Sequence, residues 1–190
     1  MKLKNKHKEK IAICLLLFIF IITLFSNFID TKINIPQNVY DNLAENIPEK
    51  HLNKIHYFYY DNMDRSFEFL NYVFFNSQYN DETIAHEVFH TWQARSFFWN
   101  IKFSFNRMIW WKKMHQKELI YGSVYFYNIS DENYNQEQEA QIFTEWYIIE
   151  YKNISLNSIR NHCIDCWQYN DSELKTKFNE KVVFLVNKYK

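Results

Sequence analysis

Long apolar runs, aromatic β-prone segments and helical stripes follow one another along this chain. After the basic start MKLKNKHKEK, residues 11–25 (IAICLLLFIFIITLF) form a run of 15 without a charge, and Ser26 to Ile29 extend it to 19. That approaches the roughly 20 residues a bilayer-spanning helix needs. Residues 27–50 hold both prolines, Pro36 and Pro48, among mixed polar residues, the pattern of a tether. KIHYFYY (54–60) and FEFLNYVFFN (67–76) are aromatic and predict strands. SQYND breaks that pattern, and Asp81 or Thr83 is the expected cap of a helix running from about 82 to 97, striped by Ile84, Ala85, Val88, Phe89 and Trp92. Residues 98–119 are aromatic and basic together and read as helical in part, while 120–130 (IYGSVYFYNIS) suits a short strand or an extended loop. Two further helices are expected over 134–151 and 172–188. The resulting class is α+β, a small sheet before a mostly helical body, preceded by an N-terminal transmembrane helix. The chain divides into a basic tail (1–10), an apolar span (11–29), a linker (30–50) and one folded domain (51–190).

The apolar span needs a second criterion, because secretory signals share its basic start. A cleavage site requires small residues at its two critical positions, and TLFSNFID offers only Ser26 between bulky neighbours. The span therefore reads as an uncleaved signal anchor, with a cleaved signal and secretion as the alternative. Lysines 2, 4, 6, 8 and 10 place the N-terminus in the cytoplasm and the domain beyond the membrane.

Charge removes other classes. Lys+Arg and Asp+Glu are both 22, which leaves no global attraction to nucleic acid. With one glycine, Gly122, neither GxGxxG nor GxxxxGK[ST] can be written, so nucleotide enzymes of those types are excluded. Of the three cysteines, Cys14 lies in the apolar run, and Cys163 and Cys166 form a lone CxxC. A local disulfide or a pair of thiols is expected there, ahead of half a zinc site with His162 or a redox motif.

The chemistry concentrates in DETIAHEVFHTWQ, residues 81–93. His86 and His90 are four apart, about 40° around a helix, so their imidazoles project side by side as two ligands of a tetrahedral zinc would. Glu87, next to the first histidine, is placed to act on a water at the metal as a general base. A peptidase zinc takes a third protein ligand. The metzincin continuation is missing, since Gln93 and Ser96 stand where its glycine and histidine would be. The segment NQEQEAQIFTEW offers Glu137, Glu139 and Glu145 instead; Glu137 and Glu139 are about 200° apart on a helix, so both cannot face one metal. Apolar residues cover a wide arc of this helix, so periodicity does not choose between them.

AHEVFHTWQ, followed by YNQEQEAQI, resembles the zincin-like metallopeptidase domains of bacteria, whose pattern is HExxHxxQ with a downstream ExxA helix. The likeness is closest to a group found with secreted-toxin and contractile-injection genes, and more distant to the membrane-bound HExxH/ExxxD peptidases. It covers roughly 54–150. It implies a gluzincin-type site in which the glutamate three before Ala140, Glu137, binds the metal, with Glu139 as the alternative and Glu145 structural. Gln141 stands where the membrane peptidases carry an aspartate, which removes an expected carboxylate support for a histidine. It further implies that 71–76 (NYVFFN) pairs with extended substrate as an edge strand, an interior strand being the alternative. Tyr125 or Tyr127 is a candidate donor to an oxyanion. Trp99, Trp110 and Trp111, with Lys102, Arg107, Lys112 and Lys113, suit either a lid helix or a surface resting on the membrane.

The expected protein is thus a membrane-anchored zinc metallopeptidase, with His86, His90 and Glu137 on Zn2+, Glu87 activating water, and a peptide or protein as substrate. The rival is a catalytically silent accessory protein on the same scaffold. An intact Glu87 speaks against it; the absence of any recognisable specificity module speaks for it.

Overall fold

A computed structural model of the chain describes residues 32–59, 66–69, 71–77, 79–95, 125–152 and 154–190. The basic tail, the apolar span 11–29 and the stretch 98–119 lie outside the described residues. Among those described, no helix is long and apolar enough to cross a membrane.

The α+β class expected from the pattern is the class observed. Strands β1 (Lys32–Ile33), β2 (His56–Tyr59), β3 (Phe67–Phe69) and β4 (Tyr72–Phe75) form one sheet in the order β1-β2-β4-β3. β2 and β4 run parallel, with His56 opposite Tyr72 and Tyr59 opposite Phe75; β1 and β3 flank them antiparallel. The segment read as one strand over 67–76 is therefore a hairpin. Its apolar residues suit two strands as well as one, and periodicity has no mark for the reversal. For 71–76 the interior alternative holds: β4 lies between β2 and β3, and among the described residues the edge beside it is β3.

A second correction concerns the tether expected over 30–50. Residues 37–44 form helix α1 (Gln37–Ala44) and 49–52 form α2 (Glu49–Leu52), each opening after a proline, Pro36 and Pro48. Proline pre-sets the backbone angle of a helix start and lacks only an N–H that the first turn leaves unpaired. Val39, Leu43 and Ile47 recur every four residues and are fully buried, so this stretch contributes to the core.

The body is built on α3 (Asp81–Gln93), α4 (Gln136–Tyr151), the single turn α5 (Leu156–Ile159) and α6 (Asp171–Lys188). α3 packs between the sheet and α4, and α6 packs on α4. Asn80, rather than Asp81 or Thr83, caps α3: its side-chain oxygen accepts from the Thr83 N–H at 2.9 Å. α3 ends at Gln93, short of the expected 97. α4 and α6 open with reciprocal capping boxes, Asn135 with Gln138 and Asn170 with Glu173. α4 is buried on almost every side, which is why its apolar arc is wide.

Phe89 of α3 stacks on Phe143 of α4, ring centroids 4.6 Å apart and planes within 20°. Both are fully buried, and Ala85 and Ala140 lie in the same core. Phe143→Ala leaves a large cavity here and is expected to cost about 3–5 kcal/mol of unfolding free energy, read from urea denaturation. A loss under 1 kcal/mol would mean that this stack does not hold the helices together.

Candidate metal centre

Buried carboxylates need partners, and α4 carries three of them, Glu137, Glu139 and Glu145. Each has a different set, and the sets define the site.

Glu137 lies in the first turn of α4 and faces the two histidines of α3. Its Oε2 is 3.3 Å from His86 Nε2 and 3.3 Å from His90 Nε2, and the two Nε2 atoms are 3.2 Å apart. Ligands about 2.0–2.1 Å from a tetrahedral zinc lie about 3.3–3.4 Å from one another. The three atoms thus have the separations of three corners of such a tetrahedron.

The other ring nitrogens fix what these atoms are. Thr144 donates its hydroxyl to the Ala140 carbonyl at 2.7 Å, so it presents a lone pair to His86 Nδ1 at 3.3 Å. Gln93 Oε1 lies 2.7 Å from His90 Nδ1. In each imidazole Nδ1 is then the N–H and Nε2 carries the lone pair toward Glu137. Lone pairs on three facing atoms repel unless a cation lies among them, so the donor set fits a divalent metal.

Glu87 follows His86 and is buried, at 6% exposure. Among the described residues its Oε2 has no hydrogen-bond partner. It lines a cleft of about 670 Å³ together with His86, Tyr125, Thr144, His162 and Ser66, the residue before β3. The sequence-derived set His86, Glu87, His90 and Glu137 is therefore gathered at one place.

Glu139 is not part of it. Pointing away from Glu137, as the 200° offset requires, it is 1% exposed and accepts from Gln93 Nε2 at 2.8 Å, Lys188 Nζ at 2.6 Å and Tyr189 OH at 2.5 Å. It is neither the alternative ligand nor a solvated surface charge. Glu145 accepts from Tyr127 OH, from Gln141 Nε2 at 2.8 Å and from His162 Nδ1 at 3.0 Å. Tyr127 is thereby removed as an oxyanion donor: it is buried, its phenol is committed to Glu145, and burial with that carboxylate pushes its pKa up. Tyr125 remains at the cleft, its ring 6.2 Å from that of His86. Gln141, where an aspartate would have supported a histidine, serves Glu145 instead, and Thr144 takes the supporting position.

Thr144 and His162 were missed by the motif. Thr144 had a signal, since it lies seven residues, two helical turns, after Glu137 on one face. His162 had none. It is positioned by the following loop, in which Cys163 and Cys166 form a disulfide. Asp165 in that loop accepts from the Ile129 and Ser130 N–H groups at 2.6 and 3.1 Å. Tyr127 and Cys163 form a parallel bridge between the same two segments. Compared with known proteins, the chain matches no family model, no curated protein and no solved structure.

The hydrogen bond that His162 donates to Glu145, against a smaller opposing effect of burial, raises the His162 pKa above its ordinary value. The pair then stabilises the fold fully below the unfolded imidazole pKa of about 6.5, and that contribution disappears as pH rises through the higher folded value. The stability difference between wild type and His162→Gln is accordingly expected to be largest near pH 6 and to vanish at alkaline pH. An NMR titration placing His162 at or below about 6.5 would contradict this assignment.

Proposed function

We propose that this chain is a membrane-anchored, zinc-dependent peptidase of zincin-like fold, in which His86, His90 and Glu137 bind the metal and Glu87 is the general base. The anchor is the apolar span 11–29, with the domain on the extracytoplasmic side. The observation that carries the reading is the site itself. Three lone-pair atoms stand 3.2–3.3 Å apart, and a buried carboxylate with an oxygen unpartnered among the described residues opens beside them into a cleft.

Zinc held there would supply Lewis acidity, polarising a scissile carbonyl and acidifying a water. Glu87 accepts the proton of the water that attacks the carbonyl carbon, and returns it to the amine as the C–N bond breaks. A carboxylate kept buried and without a full set of hydrogen bonds is costly, and proton transfer gives that cost a use. Tyr125 borders the cleft and is the remaining tyrosine candidate for the developing oxyanion. The edge strand β3, with Ser66 at the cleft, takes over the substrate-pairing role first expected of 71–76.

The silent accessory protein is separated from the peptidase by one substitution. The full chain in detergent is expected to carry about one zinc, and Glu87→Gln to retain it while lowering peptide hydrolysis by about 100-fold or more. Digestion of a peptide library with identical profiles for wild type and Glu87→Gln would leave the accessory reading. A wild type that holds no zinc at neutral pH would remove the metal centre altogether.

A further inference from the structure

The partners of Glu139 form a line of bonds that runs from the last helix into the back of the metal centre. Lys188 Nζ and Tyr189 OH reach Glu139 from the end of α6, at 2.6 and 2.5 Å. Glu139 reaches Gln93 Nε2 at 2.8 Å, and Gln93 Oε1 reaches His90 Nδ1 at 2.7 Å. Gln93 is 1% exposed, Glu139 1% and His90 fully buried, so water does not substitute for the contacts from Glu139 through Gln93 to His90.

Each step has a forced direction. An ammonium group and a phenol can both donate, so they favour Glu139 as a carboxylate that only accepts. The Gln93 amide lies against that carboxylate and, at 3.2 Å, against the Gln136 carbonyl. Two acceptors admit only its NH2 end, and the amide cannot flip without facing oxygen with oxygen. Its carbonyl end is thereby turned to His90, which must present Nδ1–H. That leaves the Nε2 lone pair aimed at His86 and Glu137, the only tautomer able to bind a metal there.

We propose that Glu139, Lys188 and Tyr189, acting through Gln93, are positioning residues that set the His90 tautomer and so couple the end of α6 to the affinity of the site for zinc. None of the three touches the metal or the cleft. The motif alone does not contain this dependence, because it joins residues 90 and 93 to residues 188 and 189 through a glutamate that is not a ligand. The inference rests on the reading of His86, His90 and Glu137 as zinc ligands, but half of its test needs no metal.

The test uses histidine-15N-labelled full-length protein, with Gln93→Leu, Glu139→Gln, Lys188→Met and Tyr189→Phe. Lys175→Met, an exposed charge removed from the same helix, is the control. In metal-free wild type, long-range 1H–15N spectra are expected to show His90 as the Nδ1–H tautomer. Gln93→Leu removes the acceptor, and Glu139→Gln lets Gln93 meet an amide by either end, so both should convert His90 to a mixture of tautomers. Zinc affinity, measured by competition with a chromophoric chelator, should fall about 10–100-fold in these two and about 10-fold in Tyr189→Phe and Lys188→Met, with the control unchanged. If Glu139→Gln does not fold, the two conservative changes on α6 carry the measurement. Variants that lose thermal stability yet keep both the wild-type tautomer and the wild-type zinc affinity would overturn the proposal and leave the bonds merely structural. A wild type with a single tautomer but no zinc would remove the metal reading while upholding the positioning. A wild type with mixed His90 tautomers would overturn the positioning whatever its zinc content.

Discussion

Everything at the candidate centre depends on how closely α3 approaches α4. Two of the clustered side chains come from one helix and the third from the other, so an error of 1 Å in the helix separation moves Glu137 out of reach of both imidazoles. The separation is set by Phe89 stacked on Phe143 at 4.6 Å, with Ala85 and Ala140 in the same core. Packed interiors deform little, and a dense contact of this kind fixes position better than any single hydrogen bond. On the far side the sheet supports α3, so the histidine helix is held between two rigid surfaces.

The parts of the fold that the sequence made legible are those where a local pattern coincides with the tertiary environment. β2, α3, α4 and α6 lie where aromatic runs and 3.6-residue stripes place them, because their buried faces follow their own periods. The failures have equally specific causes. Pro36 and Pro48 suggested a tether, yet proline serves helix starts as well as linkers, and the Val39, Leu43, Ile47 spacing was the stronger signal. The hairpin of β3 and β4 was hidden because its strands share one aromatic composition, and the single polar residue at the reversal, Asn71, does not stand out from Glu68 within it. Which strand became the edge is a property of pairing order, which no single strand encodes.

The candidate site divides in the same way. HEVFH identified His86, Glu87 and His90 because ligation needs a fixed angular offset, and a helix supplies that offset from spacing alone. Glu137 came only through resemblance, since α4 is buried nearly all round and its periodicity does not distinguish one glutamate from another. Apart from the two-turn spacing of Thr144 from Glu137, what surrounds the candidate ligands was not legible. Thr144, Lys188 and Tyr189 act through contacts between residues 49 or more positions apart, and only packing brings them together. His162 and Glu145 themselves are 17 apart, but their meeting depends on the loop closed by Cys163 and Cys166 and held by Asp165.

The three buried glutamates of α4 also bear on why the helix is built this way. Taking a carboxylate out of water costs several kcal/mol, and pairing the buried Glu139 with the exposed ammonium of Lys188 seldom repays that cost in stability. Apolar residues of similar volume would pack the same space at equal or lower free energy. A fold selected for stability alone has no physical need of three such groups on one helix. Two of the three, however, impose a direction on a neighbour: Glu139 on the Gln93 amide, Glu145 on Tyr127 and His162. Hydrophobic contacts bring α3 and α4 together without specifying which end of an amide or which nitrogen of a ring faces inward. The carboxylates supply that specification, and they do so beside the candidate metal centre, which would need its side chains in one protonation state and one orientation.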